Sequence, residues 1–357
     1  MRKPIRAAVA AFAVLLLASC GGSGVSSTPD GTGANWSIPN DEVQDGGPGQ
    51  DGIPSIDLPV FGSIDDPSLD FLREDDYVAA VSVGGEILAF PHPILNYHEV
   101  VNARVVFDDF VFSYCPLTGT AIAWDVDNSI LKPEFGVSGL LYNSNLILYD
   151  RSTGSHWSQM LQKSVRGSRV GEVAERIQVI ETTWATWKAM YPDSKVLTTD
   201  TGHERDYFAY PYGNYRWNDT LIFPVSNEDN RLHPKKRVIG MQSGNASKIF
   251  QLEEFPPNVV TLQQQFDGKP VVIIGNGAAN ISAIYSRQLA DGTILDFQPV
   301  QDQLPIVMTD SEGNTWDIFG NAVSGPRVGE QLAMTRSFTA LWFAWATFFD
   351  NTEIHFN

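Results

Sequence analysis

From Tyr77 onward the chain alternates short apolar runs with pairs of turn-forming residues. Tyr77-Val-Ala-Ala-Val-Ser-Val is separated from Glu86-Ile-Leu-Ala-Phe90 by Gly84-Gly85. Two glycines tolerate the positive φ that a two-residue hairpin turn demands, so this segment is expected to form a β-hairpin. Arg104 to Tyr114 repeats the design with Asp108-Asp109 at the expected turn, and Gly139 to Asp150 does so across Asn143-Ser144-Asn145. Gln263 to Ile274 and Ser282 to Phe297 look alike, with Asp267-Gly268 and Asp291-Gly292 as punctuation. Helical spacing is rare. Trp184, Trp187 and Tyr191 fall at i, i+3 and i+7 before Pro192, and Phe338 to Phe349 repeats that face with Trp342 and Trp345. The expected fold class is mainly β with a few short helices.

The pattern occurs twice. Asp150 to Glu172 and Asp310 to Glu330 share Asp, Gly, Trp, Val and Gly positions, and each ends in R-V-G-E. The Trp-x-x-Trp pairs follow at matching distance, and Val78 to Phe90 parallels Val238 to Phe250 upstream. Three markers in the same order indicate an internal duplication giving two similar β-rich lobes, 69–200 and 236–357. Between them, 201–235 forms an aromatic connector. Its Tyr207, Tyr210, Tyr212, Tyr215 and Trp217 are unusual for a solvated linker and are expected to pack across the seam, where a ligand cleft could also lie.

The N-terminus changes the picture. Arg2, Lys3 and Arg6 precede an apolar run from Ala7 to Ala18, too short to span a bilayer, and Leu17-Ala-Ser-Cys20 closes it. This reads as a secretory signal over 1–19 ending in a bacterial lipobox, with Cys20 as the lipidation site. The expected location is exported and lipid-anchored to the cell envelope, on the periplasmic face or cell surface, with the membrane as partner through Cys20. Residues 20–68, rich in Gly, Ser, Pro, Asn and Asp, read as a flexible tether. Removing the signal leaves 21 Lys+Arg against 42 Asp+Glu, a net charge of −21. Such a balance argues against nucleic acid as a partner. Cys115 then has no disulfide partner in the chain.

Ile94-Leu-Asn-Tyr-His-Glu-Val-Val-Asn, Phe112-Ser-Tyr-Cys-Pro-Leu-Thr-Gly-Thr-Ala, Phe135-Gly-Val-Ser-Gly-Leu-Leu-Tyr-Asn-Ser-Asn-Leu and Asp150-Arg-Ser-Thr-Gly-Ser-His-Trp-Ser-Gln159 together resemble the DUF3179 family. The resemblance covers about Asp70 to Phe356 and implies an exported protein without assigning an activity. Many members read C-P-L-C-G-T where this chain has Cys115-Pro-Leu-Thr118-Gly-Thr. The missing second thiol leaves no dithiol pair for a redox cycle or a two-cysteine metal clamp.

Comparing the halves separates framework from candidate chemistry. Asp150/Asp310, Arg169/Arg327 and the tryptophan pairs are kept in both, which suits turn and scaffold roles. Cys115 falls near Asn276 to Ala279, and His92 and His98 have no counterpart. A soft thiolate with imidazole suits copper or zinc, with Cys115, His98, His92 and Met160 as candidate ligands. The same residues permit a thiol-based enzyme or redox protein, with Cys115 as nucleophile, His98 as base and Glu99 or Asp150 as orienting acid. Trp157, Ser158 and Gln159 are candidates for a ligand cleft. No phosphate loop, dinucleotide fingerprint, serine-hydrolase elbow or H-E-x-x-H occurs. The expected role is a binding protein for a metal, ligand or protein partner. Thiol enzyme and structural lipoprotein stand as alternatives.

Overall fold

The computed structural model describes residues 36–126 and 133–356. The signal peptide, Cys20 and the tether up to residue 35 lie outside the described residues. Among the described residues the fold is mainly β, with six sheets and three short α-helices: α1 (His92–His98), α2 (Trp184–Met190) and α3 (Trp342–Phe348). No helix among the described residues is long and apolar enough to cross a membrane.

Three of the expected hairpins form, each over a turn that takes positive φ. Tyr77–Val83 pairs with Glu86–Pro91 across Gly84 (φ 58°) and Gly85 (φ 79°). Asn143 and Ser144 (φ 51° and 62°) close Phe135–Tyr142 onto Asn145–Asp150, and Asp267-Gly268 closes Val260–Phe266 onto Lys269–Asn276. Two segments differ from expectation. Ile281–Ser286 and Phe297–Pro299 lie in different sheets, and Asp291-Gly292 closes only an isolated bridge between Gln288 and Ile294. Val105 pairs with Asp108, so Val106-Phe107 makes the bend and the two aspartates start the next strand. Helix α1 was not foreseen. Pro93 sits in its first turn, where the missing N–H costs nothing.

The described residues belong to one compact unit, and its cores do not divide by half. One core joins Phe90, Phe112 and Trp187 to Ile274, Tyr285 and Trp316. A second joins Val111, Cys115, Trp124 and Trp157 to Val238, Trp342 and Trp345. The central strand Asp108–Cys115 divides these cores by side-chain alternation: Phe110, Phe112 and Tyr114 face the first, Val111 and Cys115 the second. Each core therefore takes apolar faces from both halves, and neither half buries its own faces alone.

The tether reading fails from Trp36 on. Val43–Asp45 pairs with Leu140–Tyr142, Ile56 exchanges backbone bonds with Val100 and Asn102, and Phe61–Gly62 pairs with Val196–Leu197. The segment lacks a hydrophobic period because it is held by backbone bonds to the edges of sheets already built. The shared positions hold turns, as expected. Asp150 accepts from Trp157 Nε1 at 3.0 Å, and Asp310 accepts from Trp316 Nε1 at 2.9 Å. Arg169 pairs with Glu172 and Arg327 with Glu330.

Candidate functional site

The candidate ligands do not converge. His98 is fully buried, with Nδ1 2.9 Å from the Pro54 carbonyl and Nε2 2.7 Å from the Tyr207 hydroxyl. Both nitrogens are thus used in tying the connector and Pro54 to α1, and burial lowers its pKa to about 4. Cys115 is 1% exposed and its Sγ lies 3.7 Å from the Ser144 carbonyl oxygen, in the second core with Met160. Burial, aided by the nearby Glu99 carboxylate, pushes the thiol up to about 11. Asp150 has its oxygens occupied by Thr153, Ser152 and Trp157. Among the described residues no three His, Cys, Asp or Glu side chains stand where they could hold a metal ion. The expected copper or zinc cluster around Cys115, His98, His92 and Met160 is therefore corrected: α1 and the two faces of the central strand send these donors to different places. A thiol held neutral and out of reach should not react with a maleimide in the native protein, and peptide mapping should find Cys115 labelled only after denaturation. Rapid native labelling would contradict this geometry.

The proposed cleft residues also part company. Trp157 lines a cavity of about 580 Å³ with Trp124, Phe135 and Arg169. Gln159 instead sits at the centre of a buried polar network. Its Oε1 accepts from Thr120 Oγ1 at 2.6 Å and Asn145 Nδ2 at 2.8 Å, and its Nε2 donates to Ser113 Oγ at 3.0 Å. Asn145 Nδ2 also donates to Thr118 Oγ1 at 2.9 Å, so Thr118 serves as a link in this network. Ser158 is 1% exposed beside it. The network holds the Cys115–Thr120 turn against the next sheet. Gln159→Leu should cost about 2 kcal/mol, because its partners would be buried without replacement. The check is a lowered urea midpoint at unchanged m-value.

A different set of polar groups does meet, at a cavity of about 200 Å³ beside α1. Alternation that turns Cys115 inward turns Tyr114 to this side, and Pro91, at the end of a strand, delivers His92 at the first turn of α1. The His92 ring lies 4.3 Å from the Tyr114 ring and 5.9 Å from the Tyr77 ring. Its Nε2 is 3.3 Å from Glu181 Oε2 but makes no hydrogen bond there. The same Glu181 oxygen accepts from Arg237 Nη2 at 3.1 Å. The Arg237 guanidinium stacks 3.9 Å over Tyr77, and its Nη1 is buried without a partner. Lys235 and Arg216 from the connector complete the lining. Burial lowers His92, which is neutral at pH 7, and lowers Lys235 to about 8, still charged.

Three cations, Arg216, Lys235 and Arg237, thus face two carboxylates, Asp76 and Glu181. The excess is one positive charge, in a protein whose net charge is −18. Only His92 of this set was singled out by sequence. The comparison of halves held the missing signal, since Glu181 occupies the place of Thr339 ahead of Trp-x-x-Trp, and Arg237 the place of Tyr77 ahead of the upstream marker.

A family model described as "Protein of unknown function (DUF3179)" matches residues 50–352. No curated protein and no solved structure matches the chain.

Proposed function

The chain belongs to the DUF3179 family, and we propose that it is an exported, lipid-anchored binding protein whose cavity takes an organic carboxylate. The observation carrying this reading is the buried Arg237 Nη1, which has no hydrogen-bond partner, at a cavity whose lining carries one net positive charge. A buried donor left unsatisfied is costly, about 1–3 kcal/mol, and a bound carboxylate would relieve the cationic excess that causes the imbalance. One excess charge suits a monoanion better than a phosphate dianion. Phenol and imidazole around the guanidinium supply direction, the usual arrangement of a small-ligand pocket. Anchoring through Cys20 would keep such a binder at the membrane. The two halves, on this view, descend from a duplication whose products became interlocked, leaving the asymmetric residues Glu181 and Arg237 free to form a site.

Sodium lactate provides the test. A ligand in hundredfold excess over its Kd should stabilise the fold by about 2.7 kcal/mol, seen as a raised Tm in wild type at constant ionic strength against sodium chloride. Arg216→Glu, on an exposed residue, should abolish the increment without unfolding the protein. An equal increment in the variant would refute the site.

A further inference from the structure

The carboxylate cavity opens beside a second one of about 270 Å³, and the two share Asp76, Pro93, Tyr210 and Arg216 as lining. The outer cavity is unlike the inner. Its walls carry Phe71, Tyr207, Phe208, Tyr210 and Trp217, and two of these rings are open to solvent, Phe208 at 73% and Trp217 at 71% exposure. The same lining carries hydrogen-bonding side chains, Arg73, Asp76, Asn96 and Arg216. Asn96 is 4% exposed, and its Oδ1 has no partner. Arg216 is fixed in place by stacking, 3.8 Å over Tyr210 and 5.5 Å over Trp217.

From this juxtaposition we propose that the ligand is an acidic saccharide, bound with its uronate carboxylate toward the inner cations and its sugar rings along the aromatic lip. The inference rests on the carboxylate reading of the inner cavity and names the class of ligand. A pyranose presents C–H groups on its faces and hydroxyls around its rim. It therefore needs flat aromatic surfaces together with polar side chains, and the outer cavity is lined by both. A purely apolar ligand would leave Arg73, Asp76 and Asn96 desolvated against it. A small carboxylate such as lactate would fill the inner cavity and leave the exposed rings without a contact. Two adjoining cavities also suit a ligand of more than one ring, with the charged residue seated inside and a neighbour stacked at the lip. The connector supplies Tyr207, Phe208, Tyr210, Arg216 and Trp217, so its aromatic composition has a use beyond packing the seam.

Calorimetric titration with trigalacturonate, its neutral methyl ester, lactate and triglutamate separates the outcomes. Trigalacturonate should bind, and the methyl ester should bind roughly tenfold or more weakly, having lost its charge. Trp217→Ala and Phe208→Ala remove exposed rings and should leave the fold intact. Both should weaken trigalacturonate by roughly three- to tenfold, and Phe208→Ala, which leaves the Arg216 stack on Tyr210 and Trp217 in place, should leave lactate unchanged. Binding of lactate without trigalacturonate, or trigalacturonate binding indifferent to Trp217, would overturn the saccharide inference and leave the carboxylate site standing. Tighter binding of triglutamate with the same dependence on Trp217 would replace the saccharide by a peptide. Failure of every carboxylate to bind would overturn the underlying reading itself.

Discussion

Glu181→Ala should lower the free energy of unfolding by about 3–5 kcal/mol, the largest effect expected of any single charge removal here. The Glu181 side chain is 4% exposed and the Arg237 side chain 19% exposed. Among the described residues the Glu181 carboxylate is the only anion hydrogen-bonded to the guanidinium, which otherwise has the face of Tyr77 and an Nη1 without a hydrogen-bond partner. Deleting it leaves a largely buried cation beside Lys235 and Arg216 with its compensation gone. Glu181→Gln keeps an acceptor without the charge and should fall between wild type and alanine. Urea unfolding at pH 7 measures all three. The site reading adds a further expectation, that lactate should stabilise Glu181→Ala by more than it stabilises wild type, since an external carboxylate can take the vacated place. A loss below about 1 kcal/mol in Glu181→Ala would mean that Arg237 is solvated rather than held.

Glu99→Gln should raise stability above neutral pH by up to about 3 kcal/mol. Glu99 follows the last residue of α1 in a left-handed conformation (φ 58°), and its carboxyl is 6% exposed with one hydrogen bond, from Tyr212 Oη at 3.0 Å. Burial raises its pKa from 4.5 to about 7, partly offset by that bond. Between these two values the folded state keeps a proton that the unfolded chain has given up, so stability falls as pH rises through the window. Below about pH 4.5 both states are protonated and the penalty vanishes. Glutamine keeps the acceptor for Tyr212 and never ionises, so its advantage should be absent at pH 4 and complete by pH 8. Thermal melts across that range would show the two proteins diverging as pH increases. Parallel curves would place the Glu99 carboxyl in water.

Much of the fold was legible because turn chemistry and side-chain period are local. Gly84-Gly85, Asn143-Ser144 and Asp267-Gly268 each mark the hairpin that forms. Asp108-Asp109 misplaces the turn by two residues, since its acidic pair suggests a turn while the bend falls on Val106-Phe107, where a β-branched residue takes positive φ. The interlocking of the halves was not legible, because a repeat tells which residues share a role and not which copy they pack against. The same limit explains the site. His92, His98 and Cys115 were rightly noted as asymmetric between halves, but strand alternation at Tyr114-Cys115 and the direction of α1 decide who meets whom. The cavity is assembled from six stretches, around Tyr77, His92, Tyr114, Glu181, 210–237 and Leu341, with no spacing that sequence could display. His92 and the aromatic connector are the parts of it that the sequence marks out.

Crystals of the protein grown with sodium galacturonate would test the central claim most directly. The account predicts carboxylate density within hydrogen-bonding distance of Arg237 or Arg216, in the cavity lined by His92, Tyr114 and Glu181. Bound galacturonate found elsewhere while that cavity holds only water would contradict it.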